Sequence, residues 1–119
     1  MANVKESLGR LSEIEGFLGA CIVDASSGMV LGQTGGGVNL EVAAATNTEV
    51  VRAKLKAIKA LNLNDRIEDI LITLGKQYHL IRPLSKKNTL FFYVVLDRVK
   101  SNLAMGRFVV QEAEREIEF

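Results

Sequence analysis

Leu40-Glu41-Val42-Ala43-Ala44-Ala45-Thr46-Asn47-Thr48-Glu49-Val50-Val51-Arg52-Ala53-Lys54-Leu55-Lys56-Ala57-Ile58-Lys59-Ala60 carries more apolar surface than a single contact can hide. Read at about 100° per residue, Leu40, Ala44, Asn47, Val51, Leu55 and Ile58 share one helical face, which is expected to meet a sheet. Ala43, Thr46, Val50, Ala53, Ala57 and Ala60 form a second stripe beside it, and Thr48, Glu49, Arg52, Lys56 and Lys59 fill the remaining arc. A helix that lies on a sheet and otherwise faces water needs an apolar stripe little wider than about 100°, and this one approaches twice that. The small-residue stripe is therefore expected to meet another helix, most simply its own copy about a two-fold axis. Two features argue the other way: alanine favours any helix, exposed or not, and Lys54 projects between the stripes and must reach out to water.

Outward from this helix the chain divides into short elements. Asn39 is the expected N-cap, Glu41 suits the first turn, and the helix extends to about Leu61. Upstream, Val4, Leu8 and Leu11 recur at helical spacing, so a first helix is expected from Ala2 to Glu13, with Gly16 as its stop. Phe17 to Asp24 and Met29 to Thr34 read as a hairpin across Ala25-Ser26-Ser27-Gly28, with Asp24 accepting turn amides and Gly28 supplying a positive φ. Downstream, Ile67 to Leu74, Tyr78 to Leu84 and Thr89 to Asp97 read as a meander, with Pro83 at the end of its strand because it cannot donate to a ladder. Leu103, Gly106, Val110, Ala113 and Ile117 share one face of a third helix from Ser101 to about Ile117, Gly106 allowing close approach to the sheet.

The resulting order is αββαβββα. Leu90-Phe91-Phe92-Tyr93-Val94-Val95-Leu96 is apolar on both faces, which requires cover on both sides. The expected fold class is α/β: one domain over residues 1–119, a three-layer sandwich of helices about a five-stranded antiparallel sheet. The strand at Ile67-Glu68-Asp69-Ile70-Leu71-Ile72-Thr73 follows the long helix and is expected at a sheet margin, where so apolar an edge invites pairing with the same strand of a second copy.

Composition narrows the function. At 119 residues with 48% apolar side chains, a core needs neither metal nor disulfide. Fifteen Lys and Arg against fourteen Asp and Glu leave a formal charge of +1, which provides no field for polyanions, so nucleic acid is not expected as a partner. A single cysteine, and Lys5, Glu6 and Arg10 where a secretory leader would need an apolar core, point to the cytoplasm. The longest apolar run, Leu90 to Leu96, is too short for membrane insertion.

The element order, the segment Gly16-Phe17-Leu18-Gly19-Ala20-Cys21-Ile22-Val23-Asp24 leading to Gly28-Met29-Val30-Leu31, the strand Leu80-Ile81-Arg82-Pro83-Leu84, and Leu96-Asp97-Arg98 followed by Ser101-Asn102-Leu103-Ala104-Met105-Gly106-Arg107 together resemble Roadblock-type dynein light-chain domains over essentially the whole chain. That resemblance implies a Roadblock/profilin-like sandwich, with one helix on one face and two on the other. It also implies a non-enzymatic homodimer in which the middle helices pair and the third strands join two sheets. Members of the family are platforms that bind Ras-like small GTPases, either stimulating hydrolysis without catalytic side chains of their own or serving as adaptors, and eukaryotic relatives attach cargo to dynein. The lean form of this chain is similar to the prokaryotic members.

Candidate chemistry is sparse. Gly35-Gly36-Gly37-Val38-Asn39 precedes a helix as phosphate-binding loops do, but the Walker spacing and lysine are missing, and the run reads as a flexible connector. Cys21 and His79 are each the only one of their kind; with the family's strand order the last strand separates them, and Cys21 reads as a small buried apolar residue. Glu112, Glu114, Glu116 and Glu118 read as a solvated face. Lys76, Lys86, Lys87 and Arg82 form at most a small basic rim, and Arg107 is expected to pair with an acid such as Asp97. No residue is therefore assigned to catalysis, a cofactor or a metal. The expected function is a binding platform for itself and for a small GTPase or related NTPase. Its interface would comprise Ala43, Thr46, Val50, Ala53, Ala57 and Ala60 from the helix and Ile67, Asp69, Leu71 and Thr73 from the edge strand. The alternative is a regulatory domain that senses a small molecule or nucleotide.

Overall fold

A computed structural model of the chain describes residues 2–119. The domain reading over 1–119 also includes Met1, which lies outside the described residues. The elements are α1 (Val4–Leu11), β1 (Phe17–Asp24), β2 (Met29–Gly35), α2 (Leu40–Ala60), β3 (Ile70–Thr73), β4 (Gln77–Pro83), β5 (Leu90–Asp97) and α3 (Leu103–Glu116). The strands form one sheet in the order β2-β1-β5-β4-β3, every neighbouring pair antiparallel. The doubly apolar strand β5 thus occupies the centre, where both its faces can be covered.

Alternation along the strands sorts the core into two layers. On one face Ala20, Ile22, Leu80, Phe92, Val94 and Leu96 pack against Leu8 and Leu11 of α1 and Val110 and Ala113 of α3. On the other, Cys21, Val23, Ile81, Phe91, Tyr93 and Val95 lie with Leu40, Ala44 and Val51 of α2. This is the expected sandwich, with two helices on one face and one on the other.

The termini of several elements differ from the expectations drawn from sequence, for local reasons. The first helix begins at Val4 rather than Ala2, because Asn3 and Glu6 close a capping box. Ala2 instead makes a parallel bridge to Ile117, donating its amide to Glu116 and accepting from Glu118. The edge strand is Ile70–Thr73, not Ile67 to Leu74, since only these residues lie opposite Tyr78–Ile81. Leu74 already belongs to the turn, its amide donating to the Gln77 carbonyl at 2.9 Å. Asn102 caps α3, which therefore starts at Leu103. Gly106 behaves as expected: a Cβ there would stand 3.0 Å from Leu96 Cδ1.

The glycine run is more than a connector. A Cβ on Gly19 would fall 2.1 Å from the Gly36 carbonyl oxygen, and Gly35 and Gly37 both adopt positive φ against Leu18. The run lets the chain cross over the end of β1 at backbone contact distance.

Candidate binding surface

Helix α2 is held at its N-terminus and along one flank. The Asn39 side chain accepts from the Val42 amide at the N-terminus, as expected. Arg52 reaches back to the β1–β2 turn, donating from Nε to the Ala25 carbonyl at 2.8 Å and from Nη2 to the Ser26 carbonyl at 2.7 Å. Thr48, expected at the surface, is buried beside that turn, its hydroxyl donating to the Ala44 carbonyl. The helix consequently rests chiefly on β1 and β2.

The opposite flank has no cover. Val50 is 37% exposed and Ala53 and Ala60 face solvent, while Leu61 and Leu63 beyond the helix end are 65% and 53% exposed. Leu55, expected to meet the sheet with Val51, instead overhangs it with the last turns of α2. Below this flank, Ile70 and Ile72 of β3 and His79 of β4 are only half-buried. The result is a trough floored by β3 and β4 and walled on one side by α2.

The ten residues expected at the interface fall in two groups. Thr46, Val50, Ala53 and Ala60 are exposed and Ala57 half-buried on the uncovered side of α2, while Ala43 is already buried in its own chain's core. Ile67 and Asp69 precede β3, and Asp69 takes a bidentate pair from Arg107 of α3 at 3.0 and 3.1 Å. Arg107 thus pairs with Asp69 rather than Asp97, whose carboxylate instead accepts from the amides of Val99 and Lys100. Leu71 and Thr73 lie opposite Leu80 and Tyr78, on the two-helix side of the sheet. The trough is lined instead by Ile70 and Ile72, which the sequence reading does not single out. The strict alternation of Ile70-Leu71-Ile72 held that information.

At the rim of the trough a polar chain crosses the strands. Gln77 Nε2 donates to the Gly37 carbonyl at 3.4 Å, which aims Gln77 Oε1 at His79 Nε2, 2.8 Å away. His79 Nε2 therefore carries the proton, and Nδ1 accepts from the buried Tyr93 hydroxyl at 2.9 Å. Burial holds His79 below its ordinary range and pushes Tyr93 up to about 12, with Cys21 adding to the latter. Cys21, two strands from His79, is itself pushed up to about 12 by burial. A thiol so protonated, with β5 between it and the imidazole, makes no nucleophile pair.

On the other face, Glu114 corrects the reading of a solvated acidic helix. It is 4% exposed and accepts from Arg82 Nε at 2.6 Å and from the Ser85 amide and hydroxyl. Burial alone would raise its pKa, but the bonds from Ser85 and Arg82 outweigh that and hold it below the ordinary carboxylate range. Arg82 is therefore internal and no part of a basic rim, and Lys86 is occupied with the carbonyls of Arg115 and Ile117 at the end of α3.

No family model and no curated protein sequence matches the chain. Solved structures do. MglB of Myxococcus xanthus superposes with a TM-score of 0.83 at 15% identity, over 95% of this chain and 89% of that one. A Roadblock/LC7 domain from Streptomyces avermitilis gives 0.80 at 10% identity, over 96% and 93%. The gliding protein mglB of Thermus thermophilus gives 0.79 at 16%, over 93% and 82%. The likeness lies in architecture rather than sequence, and the architecture is that of a Roadblock-type domain.

Proposed function

We propose that the chain is a non-catalytic, homodimeric binding platform that regulates or scaffolds a Ras-like small GTPase or related NTPase in the cytoplasm. The observation that carries this reading is the trough between α2 and β3, together with the contrast between the two edges of the sheet. β2, one edge, has a register shift opposite Ile22 and Val23 and places Gly32 against Val4 and Leu8 of α1. A bulged, partly covered edge resists further pairing. β3, the other edge, is in unbroken register with β4 and apolar on both faces. A second copy pairing there would satisfy its backbone groups, extend the sheet, and lay a second α2 against Val50, Ala53 and Ala57. One related solved structure is described as MglB in a tetrameric arrangement, which agrees with self-association in this fold.

The paired helices and continuous sheet would then form a broad rigid surface for the GTPase, and any effect on hydrolysis would come from positioning the partner's own catalytic groups. Affinity capture from native lysate with GTP or GDP added tests the reading, using the wild-type chain and Val50→Glu as parallel baits. An NTPase retained by the wild type and lost with Val50→Glu is the expected result. Recovery of no NTPase with either nucleotide contradicts it.

A further inference from the structure

The face of the sheet away from the trough carries a second surface that self-association through α2 and β3 would leave open. Where the turn after α1 meets the first turns of α3, Ile14 floors a cavity of about 240 Å³ walled by Met105 and Val109. Met105 and the neighbouring Phe108 are 57% and 54% exposed. At spacings of three and four residues, Met105, Phe108 and Val109 form one ridge along α3, and such a ridge is what another helix packs against. An exposed phenyl ring and thioether side by side mark an interaction site more often than an accident of surface composition.

The mouth of this notch is acidic. Glu13 and Glu15 line it, both exposed and neither in an ion pair among the described residues. Farther along the same groove between α1 and α3, Glu116 answers Arg10, and Glu112 pairs with Arg115. The carboxylates without a direct ion pair therefore sit at the cavity end, beside the apolar ridge.

We infer that this notch docks an amphipathic helix of a partner protein, with an apolar side chain entering the cavity over Ile14 and a lysine or arginine on its flank meeting Glu13 and Glu15. Apolar anchoring sets most of the affinity, and the carboxylates fix orientation and favour basic sequences. The inference does not rest on the small-GTPase reading, since the notch belongs to a single chain and lies across the sheet from the trough.

The test is selection of a displayed library of helical peptides on the wild-type protein, followed by fluorescence anisotropy with the enriched peptide. The expected consensus spaces apolar residues three and four apart beside Lys or Arg. Phe108→Ala and Met105→Ala should each weaken the enriched peptide about tenfold. Glu13→Gln with Glu15→Gln should weaken it severalfold and remove its salt dependence. Val50→Glu should leave it unchanged. All these positions are exposed, and circular dichroism checks that each variant folds. No enrichment, an acidic consensus, or equal binding by wild type and Phe108→Ala would each overturn the inference. So would loss of self-association in Phe108→Ala, because the ridge would then belong to a second copy of this chain.

Discussion

The two faces of the sheet begin from the same material and end differently. Strand spacing of about 4.8 Å makes five strands roughly 20 Å wide, whereas a helix with its side chains spans about 10–12 Å. Two helices cover most of such a width, and on the face of α1 and α3 the residues Phe92, Val94, Leu80 and Leu96 are sealed at 1% exposure or less, while Leu71 and Tyr78 toward the β3 margin stay half-buried. One helix covers half. On its face Phe91, Tyr93 and Val95 are sealed beneath and beside α2, yet Ile70, Ile72 and His79 remain half-open. Both faces open toward β3, and what sets the α2 face apart is that the helix beside the opening is itself uncovered along Val50, Ala53 and Ala60, so that flank either faces water as apolar surface or is shared.

Breaking the sealed face should cost most. Phe92→Ala removes a fully buried ring where neighbours cannot collapse, and is expected to lose about 3–5 kcal/mol in urea denaturation. Glu114→Ala leaves Arg82 buried without its carboxylate, and a loss of about 3 kcal/mol or more is expected by the same measurement. The wild type should also show the pH sign of that pair. Glu114 is held below its ordinary value, so its contribution is present above about pH 4.5 and lost as pH falls through the lower folded value. Denaturation midpoints between pH 5 and 3 should drop in the wild type and less in Glu114→Gln.

The half-open face should respond to concentration instead. Ile72→Ala is expected to cost about 1 kcal/mol in dilute protein and more at high concentration, where the proposed dimer would share that surface; denaturation at two protein concentrations separates the terms. The smallest effect belongs to His79. Its folded pKa lies below the ordinary 6.5, because burial opposes the charged form. The stability it gives is therefore full above about pH 6.5 and declines as pH falls below that value. Thermal melts at pH 7.5 and 5.5 should show this loss in the wild type and a reduced loss in His79→Phe.

The same asymmetry explains what the sequence disclosed. Elements set by local chemistry were legible: the hairpin with Asp24 accepting from the Ser26 amide and Gly28 at positive φ, the Asn39 cap, and the doubly apolar centre at Leu90 to Leu96. So was the excess apolar width of α2, because periodicity reports faces directly. What stayed hidden depends on which strands end up side by side. Nothing near Glu114 in sequence announces Arg82, thirty-two residues away, and Asp69 reads as an edge residue until the fold brings Arg107 to it. The side of β3 that faces the trough was missed for a related reason. Alternation separates Ile67, Asp69, Leu71 and Thr73 from Ile70 and Ile72, but which of the two sets faces α2 is decided only by the side of the sheet on which that helix packs.

In the proposed dimer the uncovered flank of α2 and the edge β3 are shared between two copies, and sedimentation velocity at low micromolar concentration separates that arrangement from a monomer. The wild type is expected to sediment at twice the 13.0 kDa chain mass, and Val50→Glu at one chain mass with unchanged circular dichroism. A wild type that sediments as one 13.0 kDa chain throughout that range would rule the dimer out.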